Sequence, residues 1–291
     1  MDDSKSLSLE KKYNELEKIN YLLMKELREL KIKSIDKPKI EKTNNIQKSS
    51  KENTIIFVSF SEFNKTKKLL LSTLIKNSFY KIVVGVDSKF SETTKTLKLF
   101  SNSIEIVNLD NNKLIKKFGN KIDNFNGRWA DNPAKLGAYD WFNDQDKFVY
   151  MWYIEDDVYA KNWDLFFEKY ENFDEDLIYR HDNTLPFWYF NNWKVGNKKH
   201  AITHGHLYVH RINKHFAKLL NHVLNNSNTT SHHELFIPFV RYKFDCSSRD
   251  LDSIDRKYCY CNVDANYSAY NLEFINKNDS NLFHPVKNLD L

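Results

Sequence analysis

Apolar runs of strand length alternate with helical segments through the first half of the chain. The runs Thr54–Phe60, Lys81–Asp87 and Ile104–Leu109 are nearly continuous in apolar residues, which is typical of strands covered on both faces. Between them, residues 65–77 and the segment that begins at Ser91 have the composition of helices. Because this order of strands and helices places successive strands parallel, the pattern predicts a doubly wound α/β sheet.

A fourth apolar run, over residues 148–154, ends directly in three carboxylates. They are Glu155, Asp156 and Asp157. Carboxylates at the end of a buried strand are costly unless a partner compensates them, and Mg²⁺ and Mn²⁺ prefer carboxylate oxygens. Because α/β sheets bind ligands at the carboxyl ends of their strands, the triplet predicts a divalent metal site at this edge. The alternative is an acidic, solvated turn.

Patterns in the second half of the chain are less regular, and no internal repeat is visible. A helix is predicted over residues 134–143, just before the fourth apolar run. The other predicted elements are a strand at 201–210, helices at 213–224 and 232–242, and a strand at 258–263.

The first 32 residues have a separate periodicity. Apolar residues recur there in alternating steps of four and three, which is the a/d pattern of a coiled coil. Asn20 occupies an a position, where it favours a parallel dimer by pairing with its own copy. We therefore predict a homodimer formed by a coiled-coil helix at 1–32; a lone amphipathic helix packed on the main domain is the alternative. The seam positions are Leu9, Tyr13, Leu16, Asn20, Leu23, Leu27 and Leu30.

Residues 33–53 lose this periodicity and are rich in Lys, Asn and Ser, which predicts a flexible, solvated linker. Residues 54–291 are then the main domain. Lys and Arg outnumber Asp and Glu by only 44 to 39, an excess too small to predict nucleic-acid binding.

The cysteines and the hydropathy pattern bear on the compartment. The sequence has three cysteines: Cys246, Cys259 and Cys261. A small, odd number of cysteines argues against a disulfide framework and therefore favours a reducing compartment. No apolar run approaches the 18 or so residues of a membrane span, and the N-terminus lacks a signal peptide's apolar stretch. The prediction is a cytoplasmic protein without a membrane span.

At the segment 153–158, which contains the Glu-Asp-Asp triplet, the sequence resembles the GT-A fold glycosyltransferases. The order of elements is similar over about 54–287. The resemblance implies a Rossmann-like αβα sandwich with a mixed, mostly parallel sheet. It also implies an enzyme that uses Mn²⁺ or Mg²⁺ and a nucleotide-diphosphate sugar, with a UDP-sugar favoured, and a glycan or protein acceptor.

Several residues acquire roles from this resemblance. Asp157 would contact the metal that holds the diphosphate, while Glu155 and Asp156 would face the ribose and the metal's water shell. Asp87 matches the position that contacts the base or ribose, although a turn or cap residue is an equal alternative. Two basic residues are candidates for approaching the phosphates, or else are surface charges: Lys135 and, more weakly, Arg128.

The resemblance continues toward the C-terminus. Residues 203–209, around Gly205, resemble the acceptor-side segment, and 231–238 resemble a segment with an acidic residue at the start of a helix. Glu234 is therefore the candidate catalytic base of an inverting enzyme, or else a carboxylate favoured by the helix dipole. His284 resembles a C-terminal histidine that closes over the metal or diphosphate.

The histidines His200, His204, His206 and His210 share one parity, so an uninterrupted strand would place them on one face. Such a group of histidines could instead indicate the zinc site of a hydrolase. However, Gly205 predicts a kink, and the sequence lacks an HExxH arrangement. An acceptor-pocket or surface role is favoured over zinc.

Two rival functions remain open. A metal-dependent nucleotidyltransferase or phosphohydrolase could use the same sheet, although residues 59–63 lack the glycine-rich loop expected of a nucleotidyltransferase. The second rival function is that of an assembly protein that acts through its coiled coil and has an inactive domain. The intact acidic triplet argues against this function.

Overall fold

The structure is a computed structural model. The coiled-coil prediction, most of the linker, Arg128 and His200 fall outside its described residues. In the part of the chain that is described, no helix is both long enough and apolar enough to cross a membrane. The described residues are 52–60, 62–76, 78–118, 133–182, 204–226, 233–253, 259–261 and 270–286.

The described residues form ten strands and eight α-helices. The strands are β1 (Thr54–Phe60), β2 (Lys81–Asp87), β3 (Ile104–Leu109), β4 (Tyr150–Ile154), β5 (Tyr159–Ala160), β6 (Leu177–Asp182), β7 (His204–Asn213), β8 (Ser248–Asp250), β9 (Cys259–Cys261) and β10 (Leu282–His284). The helices are α1 (Lys65–Lys76), α2 (Ser91–Phe100), α3 (Asn111–Phe118), α4 (Pro133–Asn143), α5 (Trp163–Glu168), α6 (Lys214–Asn226), α7 (His233–Lys243) and α8 (Leu272–Lys277).

A seven-stranded sheet in the order β3-β2-β1-β4-β7-β6-β8 forms the centre of the molecule. All neighbouring strands are parallel except those beside β7, which runs antiparallel to both β4 and β6. A small second sheet has the strand order β5-β10-β9. In this sheet β10 pairs with β5, which lies in the segment that follows β4. The fold is therefore mixed α/β with a mostly parallel sheet, as predicted.

Helices cover both faces of the large sheet, because its central strands are apolar on both sides. On one face α3, α4, α6 and α7 pack around residues such as Phe57 and Tyr153. On the other face α1, α2 and α5 pack around residues such as Val58 and Trp152. Neighbouring residues in β1 and β4 thus enter different cores, which is the layered arrangement that continuous apolar strands predict.

The folded unit includes the last residue of the predicted linker. Asn53 is buried, and its carbonyl oxygen accepts hydrogen bonds from the amides of Val149 and Tyr150. Its side-chain oxygen also accepts a hydrogen bond from the Thr54 hydroxyl. The backbone at Asn53 therefore helps to hold β1 beside β4.

Candidate metal centre

The acidic triplet lies at the carboxyl edge of the parallel strands, next to the point where the reversed strand β7 begins. The amide of Glu155 donates to the carbonyl oxygen of Tyr208 at 2.8 Å, which extends the β4–β7 pairing by one residue. Asp157 is fixed from the C-terminal side, since its carbonyl oxygen accepts the amide of Val286 at 2.7 Å. Both outer residues of the triplet are therefore held by neighbouring backbone.

Each carboxylate of the triplet faces a different cation. Glu155 forms an ion pair with Lys135 of α4, and Asp156 forms one with Lys67 of α1 at 2.5 Å. Asp157 lies 3.4 Å from the Nε2 atom of His284. These contacts offset the cost of placing three neighbouring carboxylates beside a buried strand.

The side chains of Glu155, Asp157 and His284 form one group with atoms suited to binding a metal. One such atom from each residue lies within 4.8 Å of the other two. The Oδ1 atom of Asp157 is buried and, among the described residues, accepts no hydrogen bond, although Nε2 of His284 lies 3.4 Å away. Two carboxylates and an imidazole suit a hard or borderline divalent cation, so the residues fit Mn²⁺ or Mg²⁺.

His284 enters this group through the small sheet. Strand β10 pairs with β5, which follows the triplet closely, and so carries His284 back to Asp157. Its ring stacks on that of Tyr208, with centroids 4.5 Å apart and planes 10° from parallel. Since Tyr208 belongs to β7, the imidazole is oriented by both sheets.

The electrostatics of the group follow from burial and close contact. Burial alone would lower the pKa of His284, but Asp157 and Glu155 outweigh it and raise the pKa to about 9. Burial would likewise raise the pKa of Glu155, but Lys135 and His284 hold it well below its usual range. For Asp156, burial prevails over the opposing effect of Lys67 and raises the pKa to about 6.

Lys135 is not a surface charge. Only 1% of its side chain is exposed, and its ammonium lies 5.3 Å from the centre of the Tyr153 ring. The burial of a lysine requires a partner, which Glu155 supplies. The basic position suggested by the sequence therefore lies inside the site, whereas Arg128 lies outside the described residues.

Asp87 lies at the end of β2 with 2% of its surface exposed. One carboxylate oxygen accepts the amide of Lys89 at 3.0 Å, and the other accepts the Asn111 side chain at 3.3 Å. These bonds support the turn-residue alternative and also fix the orientation of the carboxylate at the same edge as the triplet.

Two rings connect Glu234 to the candidate metal-binding group. Glu234 lies in the first turn of α7, and its Oε1 atom is 3.7 Å from Nδ1 of His206. The His206 ring lies 6.5 Å from that of Tyr208, which in turn stacks on His284. The candidate base therefore shares this edge of the fold with the acidic triplet.

The other histidine of β7 with a described side chain has a structural role. His210 is fully buried, with Nε2 2.6 Å from the Tyr139 hydroxyl and Nδ1 2.9 Å from the Leu207 carbonyl oxygen. Burial lowers its pKa to about 3, so the ring is neutral. Within the described ranges, no β7 histidine belongs to a group able to hold a metal, so zinc gains no support there.

Two members of the site were not found from the sequence. Lys67 pairs with Asp156, and Tyr208 supports His284. Tyr208 had no distinguishing sequence pattern. Lys67 had a weak one, because it lies in the first turn of a helix, where the dipole disfavours cations.

Comparison with known proteins identifies the fold. No protein-family model matches the sequence, and none of the curated proteins matches it. The apo structure of mouse xyloside xylosyltransferase 1 is similar over 73% of this chain and 88% of that one, at 10% identity and a TM-score of 0.47. The apo structure of the bifunctional glycosyltransferase WbbM is similar over 83% of this chain, at 12% identity and a TM-score of 0.50. The chain shares its fold with a glycosyltransferase. It spans 47% of the length of the WbbM chain.

Proposed function

We propose that the chain transfers a sugar from a nucleotide-diphosphate sugar, with a UDP-sugar favoured, to an acceptor hydroxyl. The observation that carries this proposal is the group formed by Glu155, Asp157 and His284. It lies at the carboxyl edge of the parallel strands, where α/β sheets bind their ligands. The glycosyltransferase-like fold and the buried Lys135 beside Glu155 support the same conclusion.

The three grouped residues would hold Mn²⁺ or Mg²⁺, and the bound ion would supply positive charge for the departing diphosphate. His284 must give up its proton to ligate, because only the neutral imidazole has a free nitrogen lone pair. Lys135 keeps Glu155 ionised and adds a fixed positive charge near the leaving group. Asp87, whose orientation is fixed by Lys89 and Asn111, would contact the ribose or base.

Glu234 is the proposed general base. A carboxylate in the first turn of α7 is held on a rigid element, and His206 lies beside it. From there, it would accept the proton of the acceptor hydroxyl as the oxygen attacks the anomeric carbon. Attack opposite the departing diphosphate inverts the configuration of the sugar.

The test is calorimetric titration of the full chain with UDP, GDP and other nucleoside diphosphates, with and without Mn²⁺. We expect one nucleotide to bind and its affinity to rise at least about tenfold with metal, equivalent to about 1.4 kcal/mol. Asp157→Asn should remove the metal-dependent part. Asp140→Asn is the matched control, since Asp140 pairs with Lys117 of α3, outside the metal group.

Equal nucleotide affinity with and without Mn²⁺ in the wild-type chain would overturn the metal assignment. Hydrolysis or nucleotidyl transfer without any sugar transfer, in the presence of nucleotide sugar and acceptor, would favour the other metal-dependent enzymes over a glycosyltransferase.

A further inference from the structure

Lys67 contacts the acidic triplet but has no role in the reaction proposed above. Its ammonium lies 2.5 Å from Oδ2 of Asp156, and the two side chains are only 13% and 21% exposed. We infer that Lys67 binds a phosphate oxygen of the donor's diphosphate, exchanging Asp156 for that oxygen when metal and donor enter. This inference rests on the proposed function.

The placement of Lys67 runs against the helix dipole. Helix α1 has no acidic residue in its first turn, yet Lys65, Lys67 and Lys68 lie there. The positive end of the helix disfavours cations at these positions. Lys65 and Lys68 are exposed, whereas Lys67 turns inward to the acidic triplet. A residue that breaks a local rule beside a candidate site is itself a candidate for function.

The charges of the site permit the exchange. In the structure Lys67 neutralises Asp156, just as Lys135 neutralises Glu155. A divalent cation held by the two residues on either side of Asp156 would add two positive charges next to it. Asp156 would then no longer depend on Lys67 for compensation, while the diphosphate would bring new negative charge to the same place.

The chemistry of lysine suits such an exchange better than that of arginine. Its ammonium is a compact charge on a flexible stem, which can reorient between two oxygen acceptors without matching a planar geometry. The helix N-terminus adds positive potential in the same direction. Lys67 would therefore contribute to diphosphate affinity and not to recognition of the nucleoside.

The experiment compares Lys67→Met with Lys67→Arg in the full chain. Lys68→Met serves as the matched control, because Lys68 is the exposed neighbour in the same helical turn. UDP, uridine and Mn²⁺ alone are titrated by calorimetry, so no turnover is needed. Melting temperatures check folding, and Lys67→Gln replaces Lys67→Met if the latter melts well below the wild-type chain.

Lys67→Met should weaken UDP binding in Mn²⁺ roughly tenfold or more, since a charge-assisted hydrogen bond to phosphate is lost. Uridine binding should not change, and Mn²⁺ alone should bind as well or more tightly. Lys67→Arg should retain most of the UDP affinity, and Lys68→Met should retain all of it.

Unchanged UDP affinity in Lys67→Met, with tighter Mn²⁺ binding, would show that Lys67 only neutralises Asp156 and would overturn the inference alone. If the wild-type chain binds no nucleoside diphosphate in Mn²⁺, the proposed function fails and the inference fails with it. The wild-type titration therefore separates the two failures.

Discussion

Side-chain direction determines which members of the triplet can share an ion. Residues 155–158 form a turn directly after β4, in which the amide of Val158 donates to the carbonyl oxygen of Glu155 at 3.3 Å, and this turn directs the three side chains. Glu155 and Asp157 accordingly meet His284, while Asp156 turns to Lys67. The turn therefore brings together two of the three carboxylates, Glu155 and Asp157, at the candidate metal centre.

Replacement of the candidate base provides a test at the residue scale. Glu234→Gln preserves the size of the side chain but cannot accept the proton, so turnover should fall by roughly 10²- to 10⁴-fold. Donor affinity, measured by calorimetry, should change little, because the carboxylate is proposed to face the acceptor. Near-wild-type turnover would exclude Glu234 as the base, and a product with retained anomeric configuration would exclude inversion.

Only part of this residue-scale arrangement could be predicted from the sequence. Asp157 and His284 were paired through a family resemblance, and the structure places them 3.4 Å apart. The partners of Asp156 and Glu155 lie on α1 and α4, and their pairing depends on how helices pack against the sheet. Sequence patterns carry no information about such contacts, so the buried state of Lys135 was equally hidden.

Among the elements, those with strong apolar periodicity were predicted best. The strands Lys81–Asp87 and Ile104–Leu109 match their predicted bounds. Strand β6 was missed because its second half, Arg180–Asp182, is polar and lies toward the edge of the sheet. Helix α3 was missed because it has only eight residues, too few to show a clear period.

Gly205 lies inside the strand His204–Asn213 and has a packing role. A Cβ atom built there would lie 2.1 Å from a ring atom of Tyr179, so only glycine allows β7 to approach β6 this closely. The β6–β7 pairing also shifts register between Ile178 and Arg180. On β7 this irregularity falls between His206 and Arg211, so it separates His206 from His210, the two β7 histidines with described side chains.

The ends of three strands are joined by one buried carboxylate, Asp176, just before β6. It accepts hydrogen bonds from Asn213 at the end of β7, from the amide and hydroxyl of Ser247 before β8, and lies 3.2 Å from His215. Burial alone would raise the pKa of Asp176, but the bonds from His215, Asn213 and Ser247 outweigh it and lower the pKa. Ionised Asp176 therefore stabilises the fold.

Asp176→Asn should lower the free energy of unfolding by about 2–3 kcal/mol at neutral pH, because charge-assisted hydrogen bonds are lost. A carboxyl with a lowered folded-state pKa contributes its full stability above the unfolded value near 4 and loses it as pH falls. The difference between wild type and variant should therefore shrink below about pH 4. Urea unfolding at several pH values measures it.

Glu273→Gln is the control, because the ion pair between Glu273 and Lys277 is exposed and should contribute little. A difference for Asp176→Asn that stays constant from neutral pH to pH 3 would contradict the assigned role of the charge.

For the whole molecule, the coiled coil and the folded domain are expected to act separately. The predicted heptads lie before the domain, which includes Asn53. The candidate metal-binding group, by contrast, comes entirely from residues beyond the linker. Assembly and catalysis are therefore assigned to different parts of the chain.

Deletion of residues 1–50 should convert a dimer into a monomer while leaving nucleotide affinity and melting temperature close to those of the full chain. The deletion retains Asn53, whose carbonyl oxygen binds the start of β4. Light scattering measures the oligomeric state. A truncated chain that remains dimeric would place the interface in the folded domain, and a full chain that is monomeric would exclude the coiled-coil dimer.

One proposed metal ligand, His284, is far along the chain from the other two, and this separation has a consequence during synthesis on the ribosome. Both carboxylates follow β4, but the imidazole arrives only with β10, after most of the second half has been translated. Because a chain emerges at a limited rate, the parallel half of the sheet can form while the ligand set is still incomplete. The nascent chain would therefore first form a sheet that lacks the complete ligand set. Binding of metal and donor would begin only when β10 pairs with β5.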